Sequence, residues 1–225
     1  MVMGILGGML RYSLVLLCAL ASTAQAPPPG ISRTQILDNG SVMVARLRMA
    51  PAAREPVHTH PFSAIVVQLD AGEVEMQVGT KRETAKHEPG HVEFIAAEIP
   101  HAAANVGREP FDLVTVALKP ERTPGGEQAP SPAPAGITRS MLLDNTQARA
   151  TRVTFGAGSR ETTHTHPYDL VLVQLTPGRM ELQMGGNTTT RSYAPGDVVF
   201  IPRDTPHAAI NADTKAFEVV SVGVK

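Results

Sequence analysis

The chain consists of two copies of one sequence module. Its histidines show this most directly, because six of the eight recur at a constant offset of 106 residues. The histidines of the first copy are His58, His60 and His101, and those of the second copy are His164, His166 and His207. A long repeat of this kind indicates one structural unit that is present twice. We therefore expect two similar domains, each with the same constellation of histidines.

The repeat extends well beyond the histidines. The first copy, residues 30–119, aligns with the second without a gap. The matching segments include Gly30-Ile31-Ser32-Arg33 with Gly136-Ile137-Thr138-Arg139, His58-Thr59-His60-Pro61 with His164-Thr165-His166-Pro167, and Pro100-His101-Ala102-Ala103 with Pro206-His207-Ala208-Ala209. Because turn residues and apolar residues recur together with the histidines, the whole module is duplicated.

The first 26 residues are typical of a secretory signal peptide. An apolar run from Leu14 to Ala21 follows Arg11, and Ala24-Gln25-Ala26 supplies a small-x-small pattern for cleavage after Ala26. The mature protein is accordingly expected to be secreted or periplasmic. The only cysteine, Cys18, lies within this leader. We therefore expect neither a disulfide nor a thiolate ligand in the mature protein.

The mature sequence divides into two domains joined by a linker. Residues 27–119 and residues 136–225 are each expected to form one domain of about 90 residues. The segment between them, residues 120–135, is rich in Pro, Gly, Ala and Glu. Such a composition cannot build a core and is typical of a semi-extended linker.

The net charge of the chain bears on which classes of partner it can bind. The formal net charge is −1 and there is no basic block, so nothing supports nucleic-acid binding. The expected partner is a small-molecule substrate or ligand, with no membrane contact in the mature form. Homo-oligomer formation is left open.

Short apolar segments separated by turn residues predict an all-β fold. No stretch of helical period is long enough to compete with them. The strand candidates of the first module are residues 63–69, 74–78, 92–95 and 111–118, and those of the second are 170–175, 180–184, 198–201 and 217–224. Short strands at even spacing indicate a barrel or a sandwich.

The histidine spacing points to a metal site. On a strand, His58 and His60 would point to the same face, and His101 follows about forty residues later near the end of another strand candidate. If those strands are neighbours, three imidazoles converge inside the barrel. Imidazole suits Fe, Zn, Cu, Ni and, less well, Mn. Three protein ligands leave coordination positions open for water or substrate.

The sequence resembles a bicupin of the cupin superfamily, with two cupin type-2 domains. Cupins carry a first motif G-x5-H-x-H-x3-E-x6-G and a second motif P-x-G-x2-H-x3-N. The second copy matches these with Gly158, His164, His166, Gly178, Pro202, His207 and Asn211, and the first with His58, His60, Gly72, His101 and Asn105. The resemblance implies two tandem cupin barrels, that is, double-stranded β-helices or jelly rolls. It also implies a divalent transition metal (Fe, Mn, Zn, Ni or Cu) on each set of histidines.

One motif position departs from the family in both copies. The place of the usual metal-binding Glu is taken by Ala64 and by Leu170, neither of which can coordinate. Four residues further on, Gln68 and Gln174 fall on the same strand face by period-two counting. Each is a candidate ligand contact, or else a polar group satisfied inside the barrel. The resemblance therefore implies a three-His site, which some cupin oxygenases use.

Three functions remain open at this stage. One is a metal-dependent oxygenase, such as a dioxygenase, that acts on a small organic substrate. The others are a non-catalytic small-molecule-binding protein and a metal-free cupin module. The two histidines outside the repeat, His87 and His91, are expected to be exposed in the loop around Pro89-Gly90.

Overall fold

The computed structural model describes residues 28–120 and 133–225, and within these ranges the chain is all-β. The expected signal peptide, residues 1–26, and residues 121–132 of the expected linker lie outside the described residues. In the described part, no helix is long and apolar enough to cross a membrane.

Each module contributes eight strands at matching positions. The first module has β1 (Ile31–Asp38), β2 (Val42–Met49), β3 (Ala64–Gln68), β4 (Gly72–Val78), β5 (Lys81–His87), β6 (Val92–Ile95), β7 (His101–Asn105) and β8 (Phe111–Leu118). The second has β9 (Ile137–Asp144), β10 (Ala148–Phe155), β11 (Asp169–Gln174), β12 (Gly178–Met184), β13 (Asn187–Tyr193), β14 (Val198–Ile201), β15 (His207–Asn211) and β16 (Phe217–Val224).

The strands of each module form one barrel from two antiparallel sheets. In the first module a five-stranded sheet, β1-β2-β8-β3-β6, lies opposite a three-stranded sheet, β5-β4-β7. The second module repeats this arrangement with β9-β10-β16-β11-β14 and β13-β12-β15. Apolar side chains from both sheets of the first module share one interior cluster, which includes Leu47, Val74 and Phe111. These are the two tandem jelly-roll barrels that the sequence predicted.

The predicted strands are confirmed, and four further strands per module were not predicted. Observed β6, β8, β14 and β16 have the predicted bounds. Strands β1 and β9 lie at sheet edges and leave most of their side chains exposed. In β5, residues 81–86 are all exposed. Such strands lack the apolar alternation by which a half-buried strand is recognised.

The two barrels are joined by an apolar core between the outer faces of their five-stranded sheets. Sixteen buried residues form it, eight from each module: Val42, Val44, Ile65, Val67, Leu69, Val114, Val116, Leu118, Ala148, Ala150, Val171, Val173, Leu175, Val220, Val222 and Val224. Two equivalent hydrogen bonds flank this core. Arg46 donates to the Pro195 carbonyl and Arg152 donates to the Pro89 carbonyl, each at 3.2 Å.

Limited proteolysis is expected to cut first within residues 120–135, because that composition cannot form a protected core. The two fragments should nevertheless migrate together in gel filtration, since separation would expose the shared apolar core. Val173→Asp, which buries a carboxylate in that core, should release them. A first cut within residues 63–69 would contradict the proposed domain boundaries.

Candidate metal centre

The three histidines of each module converge in the barrel interior. In the first barrel, the ring centroids of His58, His60 and His101 lie 4.5–4.8 Å apart. In the second, those of His164, His166 and His207 lie 4.4–5.0 Å apart. In each triad one ligand nitrogen per ring can be chosen so that all three lie within 4.8 Å of one another. The six histidines thus lie together as two groups of three, and metal binding by these groups stays a prediction.

The local structure that carries the triad differs from the expected one. His58 and His60 do not lie on a regular strand but in the connection between β2 and β3. The backbone of His58 instead forms an isolated bridge to His101, with reciprocal N–H···O contacts of 2.9 Å. His101 begins strand β7 rather than ending a strand. The second barrel has the same bridge between His164 and His207, at 3.0 Å.

Backbone carbonyls orient the first and third imidazoles of both triads. In each of them Nδ1 lies 2.8–2.9 Å from the carbonyl oxygen two residues earlier: His58 from Pro56, His101 from Ile99, His164 from Thr162 and His207 from Thr205. A carbonyl only accepts, so Nδ1 must carry the proton and donate it. The lone pair then lies on Nε2. This is the arrangement in which metal-binding histidines are usually held.

The middle histidine of each triad, His60 or His166, brings its Nε2 close to the Nε2 lone pair of the first histidine. The Nε2 atoms of His58 and His60 are 3.0 Å apart, as are those of His164 and His166. For bonds of about 2.1 Å to one ion, this separation corresponds to an angle of about 90° at the ion. The donor set and its spacing therefore fit a transition-metal ion. The alternative is a hydrogen bond between the two rings.

A left-handed residue fixes the backbone of the middle histidine. Glu98, with φ of 59°, donates its backbone N–H to the His60 carbonyl at 2.8 Å. Asp204, with φ of 55°, does the same for His166 at 2.8 Å. A side chain other than Gly is uncommon in this conformation and needs support from its surroundings. The same loop thus positions the middle histidine and leads directly into the third.

Burial keeps the middle histidines neutral. It lowers the pKa of His60 to about 4 and that of His166 to about 3, with smaller contributions from the neighbouring histidines and from Arg33 or Arg139. Burial also lowers the pKa of His207. Because only a neutral imidazole can bind a metal, these rings are ready to coordinate at neutral pH.

The same shifts predict an acid-sensitive metal-free protein. As pH falls from about 6.5 towards 4, the unfolded chain takes up protons at His60 and His166 that the folded chain does not. The free energy of unfolding of chelator-treated protein should therefore be highest above about pH 6.5 and should decrease as pH falls towards 4. Urea unfolding at several pH values measures it. A His60→Asn/His166→Asn variant should lose less over the window, and an equal loss would contradict the assignment.

Each barrel encloses a cavity with its triad in the wall. The cavity volumes are about 250 Å³ in the first barrel and about 330 Å³ in the second. Ala64 lines the first cavity and Leu170 the second, and both side chains are buried. The two positions at which most cupins carry a metal-binding Glu therefore lie in the cavity walls. In this protein they carry apolar side chains.

The two glutamines lie in different surroundings. Gln68 lines the first cavity, whereas Gln174 is not among the residues that line the second. In both, the amide nitrogen donates to a backbone carbonyl two residues later, that of Asp70 at 3.0 Å or of Thr176 at 2.7 Å. These bonds favour the structural interpretation. Contact with a ligand stays a prediction.

The second cavity contains polar side chains that the first lacks. Tyr168 and Arg149 line it, and the Tyr168 ring lies 5.8 Å from that of His166. At the equivalent positions the first cavity has Phe62 and Met43. Sequence reasoning missed these residues because it followed the positions that the two copies share. The positions at which the copies differ carried the signal.

A carboxylate lines each cavity at a repeated position. Glu55 lines the first and Glu161 the second. In the second barrel, one Glu161 oxygen accepts from the Ala209 N–H at 3.1 Å and the other contacts Arg139 at 3.2 Å. The family motif pointed only to the position of the missing Glu. The structure shows that the pocket wall nevertheless includes a carboxylate.

The expectation for His87 was wrong. It is not exposed but buried at the end of β5. Its ring stacks on that of His91, with centroids 3.9 Å apart. The two rings and Glu93 line the first cavity. His91 itself is exposed, as expected.

Comparison with known proteins supports the same architecture. Residues 151–223 match the Cupin domain family. No curated protein sequence matches the chain significantly. Among solved structures, AerE from Microcystis aeruginosa superimposes with a TM-score of 0.73 at 14% identity, over 88% of this chain and 93% of AerE.

Two enzymes also share the fold. Oxalate decarboxylase from Lactobacillus farciminis has a TM-score of 0.70 at 13% identity, over 87% of this chain and 82% of its own. Salicylate 1,2-dioxygenase from Pseudoaminobacter salicylatoxidans has a TM-score of 0.65 at 12% identity, over 82% and 72%. The segment 151–223 is thus a Cupin domain, the first half of the chain repeats its fold, and the chain as a whole has the two-barrel fold of a bicupin.

Proposed function

We propose that the protein is a secreted bicupin that holds a divalent transition metal on three histidines in each barrel and oxygenates a small organic substrate. The observation that carries this proposal is the preset geometry of the triads. In both barrels the Nδ1 atoms of two histidines are tied to carbonyls, and Nε2 atoms meet at 3.0 Å. Fe, Mn, Zn, Ni and Cu all accept imidazole ligands.

The second barrel is the better candidate for catalysis. A bound ion with three protein ligands supplies open positions for substrate and dioxygen. Leu170 and Leu172 supply an apolar part of the cavity wall. Burial raises the pKa of the Tyr168 phenol, so this group remains protonated and can donate a hydrogen bond to a substrate oxygen.

The charges of this cavity favour a substrate with a carboxylate. Arg149 lines the cavity and has its charge partly compensated by Asp144, at 2.7 Å. Glu161 contacts Arg139 and can accept a proton from a substrate hydroxyl. Two of the structurally similar enzymes are named for carboxylate compounds, oxalate and salicylate. A cavity of about 330 Å³ suits a molecule of that size.

This function can be tested by measuring oxygen uptake. The protein is reloaded with each metal in turn and supplied with small hydroxy- and keto-carboxylates. We expect uptake with at least one metal. Tyr168→Phe and Arg149→Met install the residues of the first barrel and should raise KM by about tenfold or more, since each removes one polar contact of about 1.5–3 kcal/mol. Phe62→Tyr in the first barrel is the matched control and should leave KM unchanged. Uptake that is insensitive to both second-barrel changes would contradict the placement of the substrate.

The first barrel favours a second function, small-molecule binding without turnover. Its cavity carries Met43 and Phe62 where the second has Arg149 and Tyr168. Without that arginine and phenol, this part of the cavity wall suits an uncharged ligand. Ligand-induced thermal shifts without oxygen uptake, lost in the cavity-filling variant Ala64→Phe, would identify this function.

A further inference from the structure

A second group of metal-ligating side chains lies in the first barrel, apart from the triad. It consists of His87, His91 and Glu93, whose ligand atoms lie within 4.8 Å of one another. We propose that these three residues form a separate site for a divalent cation of the zinc class. The proposal does not depend on whether the triads bind metal.

The strand register places the new site at the far end of the barrel from the triad. His87 pairs with Gly72 at the start of β4, whereas His101 pairs with Val78 at its end. The six residue-to-residue steps of β4 between Gly72 and Val78 span about 20 Å. One ion could not serve both groups, so they are independent sites in one cavity wall.

The spacing of the donor atoms suits a shared ion better than hydrogen bonds. The Nε2 atoms of His87 and His91 each lie 3.6 Å from the same Glu93 oxygen. That separation is too long for a hydrogen bond. Ligands of one tetrahedral ion with bonds of about 2.1 Å are about 3.4 Å apart, and cis ligands of an octahedral ion only about 3.0 Å. The new site is therefore closer to tetrahedral geometry, which zinc and cobalt(II) accept.

No hydrogen bond competes with an ion for the two imidazoles. Within residues 28–120 and 133–225 they make none, and their contacts are the stack on each other and the approach of both to Glu93. Burial, followed by the nearby His91, lowers the pKa of His87. The ring of His87 is therefore neutral at pH 7. Glu93 supplies the single negative charge that partly neutralises a divalent cation.

Backbone hydrogen bonds hold the turn that presents these ligands. The N–H of His91 donates to the Glu88 carbonyl at 3.0 Å, and the His91 carbonyl accepts from the Gln68 N–H at 2.9 Å. The Pro89 carbonyl accepts from Arg152 of the second barrel. An ion here would therefore fix a turn that contacts both barrels. His91, with 41% of its side chain exposed, gives the ion a route of entry.

The site belongs to the first barrel alone. At the equivalent positions, offset by 106 residues, the second barrel has Tyr193, Asp197 and Val199. Tyr193 there stacks under the Arg191 guanidinium, 4.3 Å from its ring centroid. The two barrels have thus diverged at both ends of their cavities, the first towards a second cation site and the second towards a polar triad pocket.

Cobalt(II) binding to the full chain tests the proposal, in a His58→Ala/His164→Ala background that disables both triads. We expect one ion to remain, with the intense visible absorption of tetrahedral cobalt. Adding His91→Ala, at an exposed position that leaves no buried void, should weaken cobalt binding at least about tenfold. Glu93→Gln, of nearly the same shape, should do the same. Thr84→Ala, on the exposed part of β5, is the matched control and should have no effect.

Two results would overturn the proposal. One is the absence of any cobalt ion in the triad-disabled background, provided that circular dichroism shows a folded protein. The other is a bound ion whose affinity is unchanged by both His91→Ala and Glu93→Gln. Both triads are already disabled in the background protein, so neither result tests whether the triads bind metal.

Discussion

Replacement of His58 and His164 by alanine in one protein should remove the ions of both triads. Each substitution deletes the imidazole whose Nε2 lies 3.0 Å from that of its neighbour. Two imidazoles then remain, too few for a closed or a catalytic three-ligand site. Each single variant should lose one ion, because the barrels hold their triads separately. Elemental analysis after equilibration with Fe, Mn or Zn measures the loss, and oxygen uptake should disappear with it.

The matched control lies between the histidines. Thr59→Ala with Thr165→Ala changes two exposed side chains of the same segments without touching a ligand. This protein should retain its metal in full. If the histidine variant also keeps the wild-type stoichiometry, the triads are not the metal sites.

Leu170→Glu should convert the second site towards the four-ligand cupin type. The substitution places a carboxylate in the cavity wall beside the triad, where it can coordinate Mn or Fe. Without metal, a buried charge with no partner costs about 3–5 kcal/mol. At about 2–4 °C per kcal/mol for a protein of this size, the metal-free variant should melt about 6–20 °C below the wild type. Added Mn should restore most of this loss, so the metal-induced shift in Tm exceeds that of the wild type.

The neighbouring residue supplies the control for burial alone. Val171 lies on the same strand but belongs to the apolar core between the barrels. Val171→Glu should be at least as destabilised, and Mn should not rescue it. If metal fails to stabilise Leu170→Glu beyond the wild type, either residue 170 does not reach the ion or the triad holds none. That outcome would favour the metal-free binding function.

The sequence predicted the fold class and the two triads because both depend on repetition. A constant offset of 106 residues identifies equivalent positions without knowledge of their structure. Strands such as β8 (Phe111–Leu118) were recognised because they are short segments in which apolar and β-branched residues predominate. The position of the absent Glu was also correctly placed, since Leu170 does face the cavity.

What the repeat could not reveal depends on tertiary context or on differences between the copies. His58 is held by an isolated bridge to His101, a long-range pairing that no local pattern encodes. His87 was expected in an exposed loop because it lies near the Pro89-Gly90 turn, yet it pairs with β4 and is buried. The positions of Tyr168 and Arg149 carry polar residues only in the second copy. A search for repetition discards such residues, although they distinguish the functions of the two barrels.

Anomalous X-ray diffraction at the absorption edge of the bound metal tests the central claim most directly. Crystals of protein loaded with Fe or Mn should show one anomalous peak at each triad, within about 2.2 Å of its three Nε2 atoms. Both peaks should vanish in the His58→Ala/His164→Ala protein. Fully loaded crystals with no anomalous peak at either triad, or with peaks only on surface carboxylates, would contradict the account.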